Sequence, residues 1–183
     1  MRTRPRLMGI IDRVSMVEPL EERVDHVRGE AGAPVILEYG DYECPYSRQA
    51  FRAIERVERE LVGRVRFAFR HFPLTQIHPH ALAASAAAEA AARQGRFWEM
   101  HELLFHRQKA LEDGDLRTYA KEIGVELALY ERDRAGNEVA ARIARDVDGG
   151  EALGVRGTPA LFIDGVLHRG GHDTESLLEA LAR

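Results

Sequence analysis

A lone cysteine followed three positions later by a serine is the part of this chain with the clearest potential for chemistry. Cys44 is the only cysteine among 183 residues, and it lies in the stretch GDYECPYSRQAF. A cysteine attacks other sulfur atoms as a thiolate, which the free N–H groups and partial positive charge of a helix N-terminus stabilise. Because Pro45 suits the first position of a helix, we expect Cys44 to lie at such an N-terminus and to act as a nucleophile.

Ser47 follows Cys44 at the spacing of a Cys-x-x-Cys redox motif, but it carries a hydroxyl in place of the second thiol. We expect this hydroxyl to donate a hydrogen bond to the Cys44 sulfur. A single cysteine excludes an internal disulfide, so the fold cannot depend on one. The alternative for Cys44 is an unreactive core residue, since free cysteines are often buried.

The residues around Cys44 predict a strand–helix–strand unit. The nearly all-apolar PVILEYG (34–40) is typical of a buried central strand, and a helix is predicted from Pro45 to about Leu61. RVRFAFRHF (64–72) alternates polar and apolar residues, which predicts a second strand.

A helical block is predicted next, over about 79–147, with Asp115 as one of its N-caps. TPALFIDGVLHRGG then predicts a strand, an Asp-Gly turn and another strand, and Thr174 is the predicted cap of a final helix. We therefore expect one α/β domain, with order β-α-β, helices, β-β-α. The predicted divisions begin with an N-terminal extension (1–24), which contains a short helix over VEPLEERV. They continue with the first part of the α/β domain (25–78), an all-helical insertion (79–150) and the second part of the α/β domain (151–183).

Composition limits the classes of partner. A formal net charge of −4, with 45% hydrophobic and 31% charged residues, fits a globular protein and gives no reason to expect a nucleic-acid partner. No apolar stretch is long enough for a membrane span or for the core of a signal peptide. We expect a cytoplasmic protein, with an exported mature form as the alternative.

Histidines offer a possible metal site that we do not favour. His78 and His80 flank Pro79, but the sequence places no cysteine or close carboxylate beside them. We expect them to cap the alanine-rich helix, and we expect His101 to be a core or cleft-lining residue and not a base. The sequence therefore predicts no metal.

Several stretches together resemble the DsbA-like family of thiol–disulfide oxidoreductases. They are HVRGEAGAPVILEYGDYECPYS, HFPL, HPHALAASAAAEAA, GRFWEMHELLF and GVRGTPALFIDG. The resemblance implies a thioredoxin-like fold with a helical insertion, and similar domains are fused to the end of some bacterial sodium/proton antiporters. It also implies that Cys44 is the attacking cysteine, that Thr158 and Pro159 form a cis-proline loop facing it, and that Glu38 is a buried acid.

The resemblance implies thiol–disulfide exchange, and Ser47 in place of the second thiol changes how that exchange would be completed. We expect a thiol–disulfide oxidoreductase in which Cys44 forms a mixed disulfide that an external thiol resolves. Glutathione is the expected co-substrate, no cofactor is expected, and protein or peptide thiols and disulfides are the expected partners. Pro45 and Tyr46 are expected to contact substrate beside the sulfur.

Two alternative functions stay open, and so does the role of Glu38. The chain can be a non-catalytic binding or regulatory module on the same fold, or a dithiol enzyme with an engineered cysteine-to-serine change that traps substrate. Glu38 shuttles a proton to the second sulfur in a dithiol enzyme, so its catalytic role here is open. The other interpretation of Glu38 is a strand-end carboxylate that reaches solvent or pairs with an arginine.

Overall fold

A single mixed β-sheet organises the protein. The computed structural model describes residues 20–21 and 23–182, and within them five strands form one sheet. The helices and strands are, in chain order, β1 (His26–Arg28), β2 (Val35–Gly40), α1 (Pro45–Glu60), β3 (Arg66–His71), α2 (Ala81–Ala92), α3 (Phe97–His106), α4 (Asp113–Glu122), α5 (Leu127–Arg134), α6 (Asn137–Ala152), β4 (Ala160–Ile163), β5 (Val166–Leu167) and α7 (Thr174–Leu181).

The central strand β2 determines where the functional residues meet. The sheet order is β1-β3-β2-β4-β5, with β2 parallel to β3 and antiparallel to β4. Since α1 connects two parallel neighbours, its N-terminus lies at the end of β2. Pairing of Tyr39 with Ala160 brings the loop before β4 to that same end.

Both faces of the sheet are covered, which explains why β2 is apolar along its length. Ile36 lies in the larger core with Phe51 of α1 and the alanines of α2, whereas Leu37 and Tyr39 pack with Phe162 in a smaller core on the other face. The small side chains of α2 allow it to contact α3, α4, α5 and α6 at once. A helix buried on nearly every side is expected to be apolar all round, as this one is.

The predicted α/β order β-α-β, helices, β-β-α is confirmed. The Asp-Gly turn has Asp164 and Gly165 at φ 46° and 82°, the left-handed region that a tight two-residue hairpin needs. Strand β1 was absent from the predicted elements because three residues of mixed polarity carry no periodic signal; it pairs antiparallel with β3.

Two predicted helix caps were wrong by a few residues. Helix α4 is capped by Glu112, and Asp115 instead completes a capping box by accepting from the Glu112 backbone. Asp173 caps α7 through Ser176 N, so Thr174 is the first helical residue. The predicted helix over 17–24 falls largely outside the described residues. Within the described part of the chain, no helix is both long and apolar enough to cross a bilayer.

Candidate active site

Cys44 lies where the sequence predicts, at the N-terminus of α1. It is the N-cap residue, with extended backbone angles, and Pro45 follows in the first turn. Its backbone N–H donates to Asp41 O at 3.1 Å, and only 3% of the residue is exposed. The sulfur therefore lies just below the surface, next to the free N–H groups of the first helical turn.

The loop before β4 covers the sulfur from the other side. The Thr158–Pro159 peptide bond is cis, as expected, and the Cys44 thiol donates to Thr158 O at 3.3 Å. Pro159 is buried and Thr158 is half-buried. Thr158 therefore lies directly against the sulfur.

Glu38 is fully buried in the middle of β2. Neither of its carboxyl oxygens forms a well-aligned hydrogen bond within the described residues. Burial raises the pKa of this carboxyl to about 8, an effect that the nearby Ser47 hydroxyl only partly offsets. The interpretation of Glu38 as a solvent-reaching or arginine-paired carboxylate was therefore wrong, and the group is neutral at pH 7.

Ser47 is buried one turn into α1, and its contacts differ from the prediction. Its hydroxyl oxygen accepts from Asp41 N at 3.3 Å and lies near Glu38. The sulfur has its hydrogen bond with Thr158 instead of with Ser47. Ser47 thus contacts the backbone before the cysteine, and no second sulfur stands at this position.

Asp41 is a residue that the sequence analysis missed. Its buried carboxylate accepts from Glu43 N at 2.7 Å, from Leu74 N at 2.8 Å and from His78 Nδ1 at 2.8 Å. These contacts connect the segment leading to Cys44 with the loop after β3. The sequence did contain a signal for this role, namely an aspartate directly after a buried strand. Aspartate and asparagine side chains in such places often accept hydrogen bonds from nearby backbone N–H groups.

The histidines of the 74–80 loop also have carboxylate partners, so that part of the prediction was wrong. His80 Nδ1 lies 2.9 Å from Glu43, which also accepts from His80 N, while His78 pairs with Asp41. Neither pair includes a third ligand, and both serve to hold the loop near Cys44. His101 is a core residue as predicted, with Nδ1 at 3.0 Å from Tyr42 OH.

A match to a family model decides the family. The model described as thioredoxin matches residues 21–183. The chain belongs to the thioredoxin family. In this thioredoxin-family chain, the cysteine at the start of α1 and the cis-proline loop form one site, as the resemblance to DsbA-like proteins implies.

Solved structures support that resemblance. The fold matches a thioredoxin-like oxidoreductase from Silicibacter pomeroyi, with a TM-score of 0.79, 26% identity and coverage of 94% of this chain and 96% of the other. It also matches the thiol–disulfide exchange protein alpha-DsbA2 from Wolbachia pipientis, with a TM-score of 0.73, 19% identity and 86% coverage of each chain. The second likeness concerns the fold alone.

Curated relatives are much longer proteins. The Na⁺/H⁺ antiporter NhaA 1 of Salinispora arenicola is 43% identical over 174 residues, which are 94% of this chain and 26% of the antiporter. The chain therefore spans about a quarter of the relative's length. This agrees with the expectation that domains of this kind occur fused to antiporters.

Pro45 also borders a polar groove of about 310 Å³ that runs along the outer side of α1. Arg48, Arg52 and Arg56 contribute to one wall, and they lie on one helix face because they are four residues apart. Gln108 borders the groove and donates to Cys44 O at 2.9 Å, so the groove adjoins the active-site turn. Tyr46, the residue after Pro45, is 65% exposed.

Proposed function

We propose that this chain is a thiol–disulfide oxidoreductase that works through Cys44 alone and depends on an external thiol. One observation carries the proposal. The nucleophile, the helix N-terminus and the cis-proline loop are together, while Ser47 occupies the place where a second thiol would resolve the intermediate. Without that thiol, the resolving sulfur must come from another molecule.

The chemistry balances over two exchanges. The Cys44 thiolate attacks a glutathionylated protein, forms a Cys44–glutathione disulfide and releases the protein thiolate. A glutathione thiolate then attacks that disulfide, releases Cys44 as thiolate and leaves as oxidised glutathione. The substrate's mixed disulfide is reduced to a protein thiol. One free glutathione thiol joins the glutathionyl group taken from the substrate to form oxidised glutathione, and Cys44 is unchanged.

Thr158 is proposed to position the substrate. In the resting protein its carbonyl accepts from the Cys44 thiol. When the thiol ionises, that proton leaves, and the carbonyl becomes available to an N–H group of an extended peptide beside the sulfur. Pro45, Tyr46 and Pro159 are proposed to contact the same peptide.

Glu38 is proposed to stay protonated while the site works. Burial raises its pKa to about 8, so the carboxyl carries no charge at neutral pH. A neutral group beneath the start of α1 does not oppose a thiolate at Cys44, whereas a carboxylate would. Its role is therefore that of a positioning residue acting through Ser47.

The arginine groove supports glutathione as the external thiol. Arg52 and Arg56 are exposed, and among the described residues none of the three groove arginines pairs with a carboxylate; Arg48 contacts only His106 O, at 3.5 Å. Glutathione carries two carboxylates, and guanidinium groups bind carboxylates with matching geometry. A compartment rich in reduced glutathione, such as the cytosol, suits this cycle.

The test is reduction of a glutathionylated peptide, followed with and without free glutathione. We expect turnover only with glutathione, and none in Cys44→Ser. Lys121→Ala is the control, since it removes an exposed side chain of α4 that borders neither Cys44 nor the arginine groove, and it should leave turnover nearly unchanged. Turnover of wild type with no external thiol, or activity retained by Cys44→Ser, would contradict the proposal.

Burial of the sulfur favours a second candidate, a binding module in which Cys44 does not react. Only 3% of Cys44 is exposed, and its proton is engaged by Thr158. In that case Cys44 would resist alkylation at pH 7 in the folded protein but react after unfolding. Rapid alkylation of the folded protein would exclude this candidate.

A further inference from the structure

Two histidines and a glutamate converge at a place that the proposed redox cycle does not use. His26 lies on β1, His71 ends β3, and Glu89 lies on α2. His26 Nε2 is 2.6 Å and His71 Nε2 is 2.8 Å from the same oxygen, Glu89 Oε1. The ligand atoms of all three side chains lie within 4.8 Å of one another.

The three side chains are held by rigid parts of the fold. Glu89 and His71 are buried, and the His26 ring stacks on Phe97 with centroids 3.4 Å apart. His71 Nδ1 has no hydrogen-bond partner in the described residues, so no further contact fixes which nitrogen carries the proton. Ligands placed on strands and helices are more precisely positioned than ligands on loops.

The donor atoms of the cluster suit a cation. Imidazole nitrogen and carboxylate oxygen are both ligands that divalent transition-metal ions accept, and here two ring nitrogens face one carboxylate oxygen.

An opening leads from solvent to the cluster. His26 and Glu89 border a groove of about 260 Å³, which gives room for entry and for a water ligand. Three arginines also border it, namely Arg23, Arg93 and Arg142. Arg93 pairs with Asp133 and Glu138, and Arg142 pairs with Asp146, so neighbouring carboxylates offset these two charges. Arg23 is exposed to solvent and has no carboxylate partner among the described residues.

We propose that His26, His71 and Glu89 bind a divalent transition-metal ion such as Zn²⁺. Two imidazoles and one carboxylate form a common donor set for zinc, with a fourth position left for water. Tetrahedral bonds of about 2.0–2.1 Å separate neighbouring ligand atoms by about 3.3 Å. The present separations of 2.6 and 2.8 Å would therefore open by about 0.7 and 0.5 Å, within reach of side-chain adjustment.

Bound metal would connect β1, β3 and α2 at one point. Because such an ion binds the folded chain and not the dispersed ligands of the unfolded one, it would raise the melting temperature. This function is independent of sulfur chemistry, so it stands or falls separately from the proposed oxidoreductase activity.

The experiment titrates the Cys44→Ala protein with Zn²⁺ and, in parallel, with Co²⁺. Removal of the thiol ensures that sulfur does not bind the ion. We expect one Zn²⁺ per chain by calorimetry, a higher melting temperature, and visible Co²⁺ absorption typical of a four- or five-coordinate site. In the same background, His26→Gln keeps a hydrogen-bond donor near Glu89 but removes a ligand, and Glu89→Gln removes the carboxylate.

Both substitutions should weaken Zn²⁺ binding by at least about tenfold, since even loss of an outer hydrogen-bond partner costs a metal site that much. His80→Ala is the matched control and should bind as before. Because His26 is partly exposed, its variant is expected to fold, and circular dichroism checks this. No binding in the Cys44→Ala background, or binding that His26→Gln leaves unchanged, would overturn the proposal.

Discussion

Glu38 and Glu89 are both buried glutamates in the same small domain, yet at neutral pH the first is protonated and the second is ionised. Burial raises the pKa of Glu38 to about 8, because only the nearby Ser47 hydroxyl offsets the loss of water around the carboxyl. Burial acts on Glu89 in the same direction, but two imidazole donors hold its pKa well below its usual range. Partners, and not burial, therefore decide whether a carboxyl in this core is charged.

The difference also separates two kinds of site. Glu38 lies near Ser47 at the start of α1, where a neutral group is compatible with the thiolate proposed for Cys44. Glu89 lies at the junction of β1, β3 and α2, where a fixed negative charge organises histidines. The predictions below test this contrast, from the largest expected effect to the smallest.

The largest expected effect is a loss of stability with rising pH that depends on Glu38. In the unfolded chain the carboxyl loses its proton near pH 4.5, whereas in the folded protein it keeps the proton to about pH 8. The unfolded state thus binds fewer protons between these values, and stability falls by about 5 kcal/mol across that window.

Urea unfolding at pH 5, 7 and 9 would measure this loss. Glu38→Gln keeps the size of the side chain but does not titrate, so its stability should be flatter over the same range. If the free energy of unfolding varied with pH in the same way for both proteins, Glu38 would be ionised in the folded state. That result would contradict the difference in charge between Glu38 and Glu89.

Removal of the other buried glutamate should be costly at neutral pH. Glu89→Ala leaves His26 and His71 without their shared acceptor, and two hydrogen bonds to a charged group are lost. We expect the free energy of unfolding at pH 7 to fall by about 3 kcal/mol. Ser85→Ala is the control on the same helix, since its buried hydroxyl has no hydrogen-bond partner within residues 20–21 and 23–182 and its loss should cost little. Equal effects of the two substitutions would contradict the account of Glu89.

A second thiol at position 47 should allow Glu38 to act as a general acid or base, exchanging a proton with that thiol. Ser47→Cys places two thiols at i and i+3 on α1, close enough for a disulfide. Reduction of insulin without glutathione should rise above the low wild-type level. Glu38→Gln should then slow this variant by about 10²-fold, the lower end for general acid–base catalysis, and slow wild type less. A Ser47→Cys protein that forms no internal disulfide under mild oxidation would refute the geometry.

Exposed charges should matter least. Arg52→Glu reverses one charge in the groove along α1, and we expect the KM for glutathione to rise about fivefold, with a smaller effect at high salt. Arg59→Glu makes the same change on α1 at a residue that does not border the groove. Identical effects of the two substitutions would show that only net charge matters and not the groove.

The parts of the site that the sequence predicted have local signals. An apolar run ending at Gly40, Pro45 after the cysteine, and Asp164 with Gly165 at the hairpin each indicate their own conformation. The position of Glu38 inside an apolar run also indicated burial. The cis bond before Pro159 was implied only by the resemblance, since most such bonds are trans.

The parts that the sequence did not predict depend on distant pairing. His26 and Glu89 are 63 residues apart, and they meet only because β1 pairs with β3 beside α2. Asp41 and His78 are 37 residues apart, and their contact follows from a loop that returns to the end of β2. The hydroxyl of Ser47 could be placed on the correct helix turn, but its choice of Asp41 over the sulfur depends on backbone geometry.

The central claim is that Cys44 reacts alone and waits for an external thiol. Intact-protein mass spectrometry tests it most directly, on wild type mixed with a glutathionylated peptide at pH 7 and quenched with acid. The account predicts that one glutathionyl group accumulates on Cys44 and that added glutathione removes it. Release of the peptide thiol with no adduct on Cys44, or an adduct that added glutathione does not remove, would contradict it.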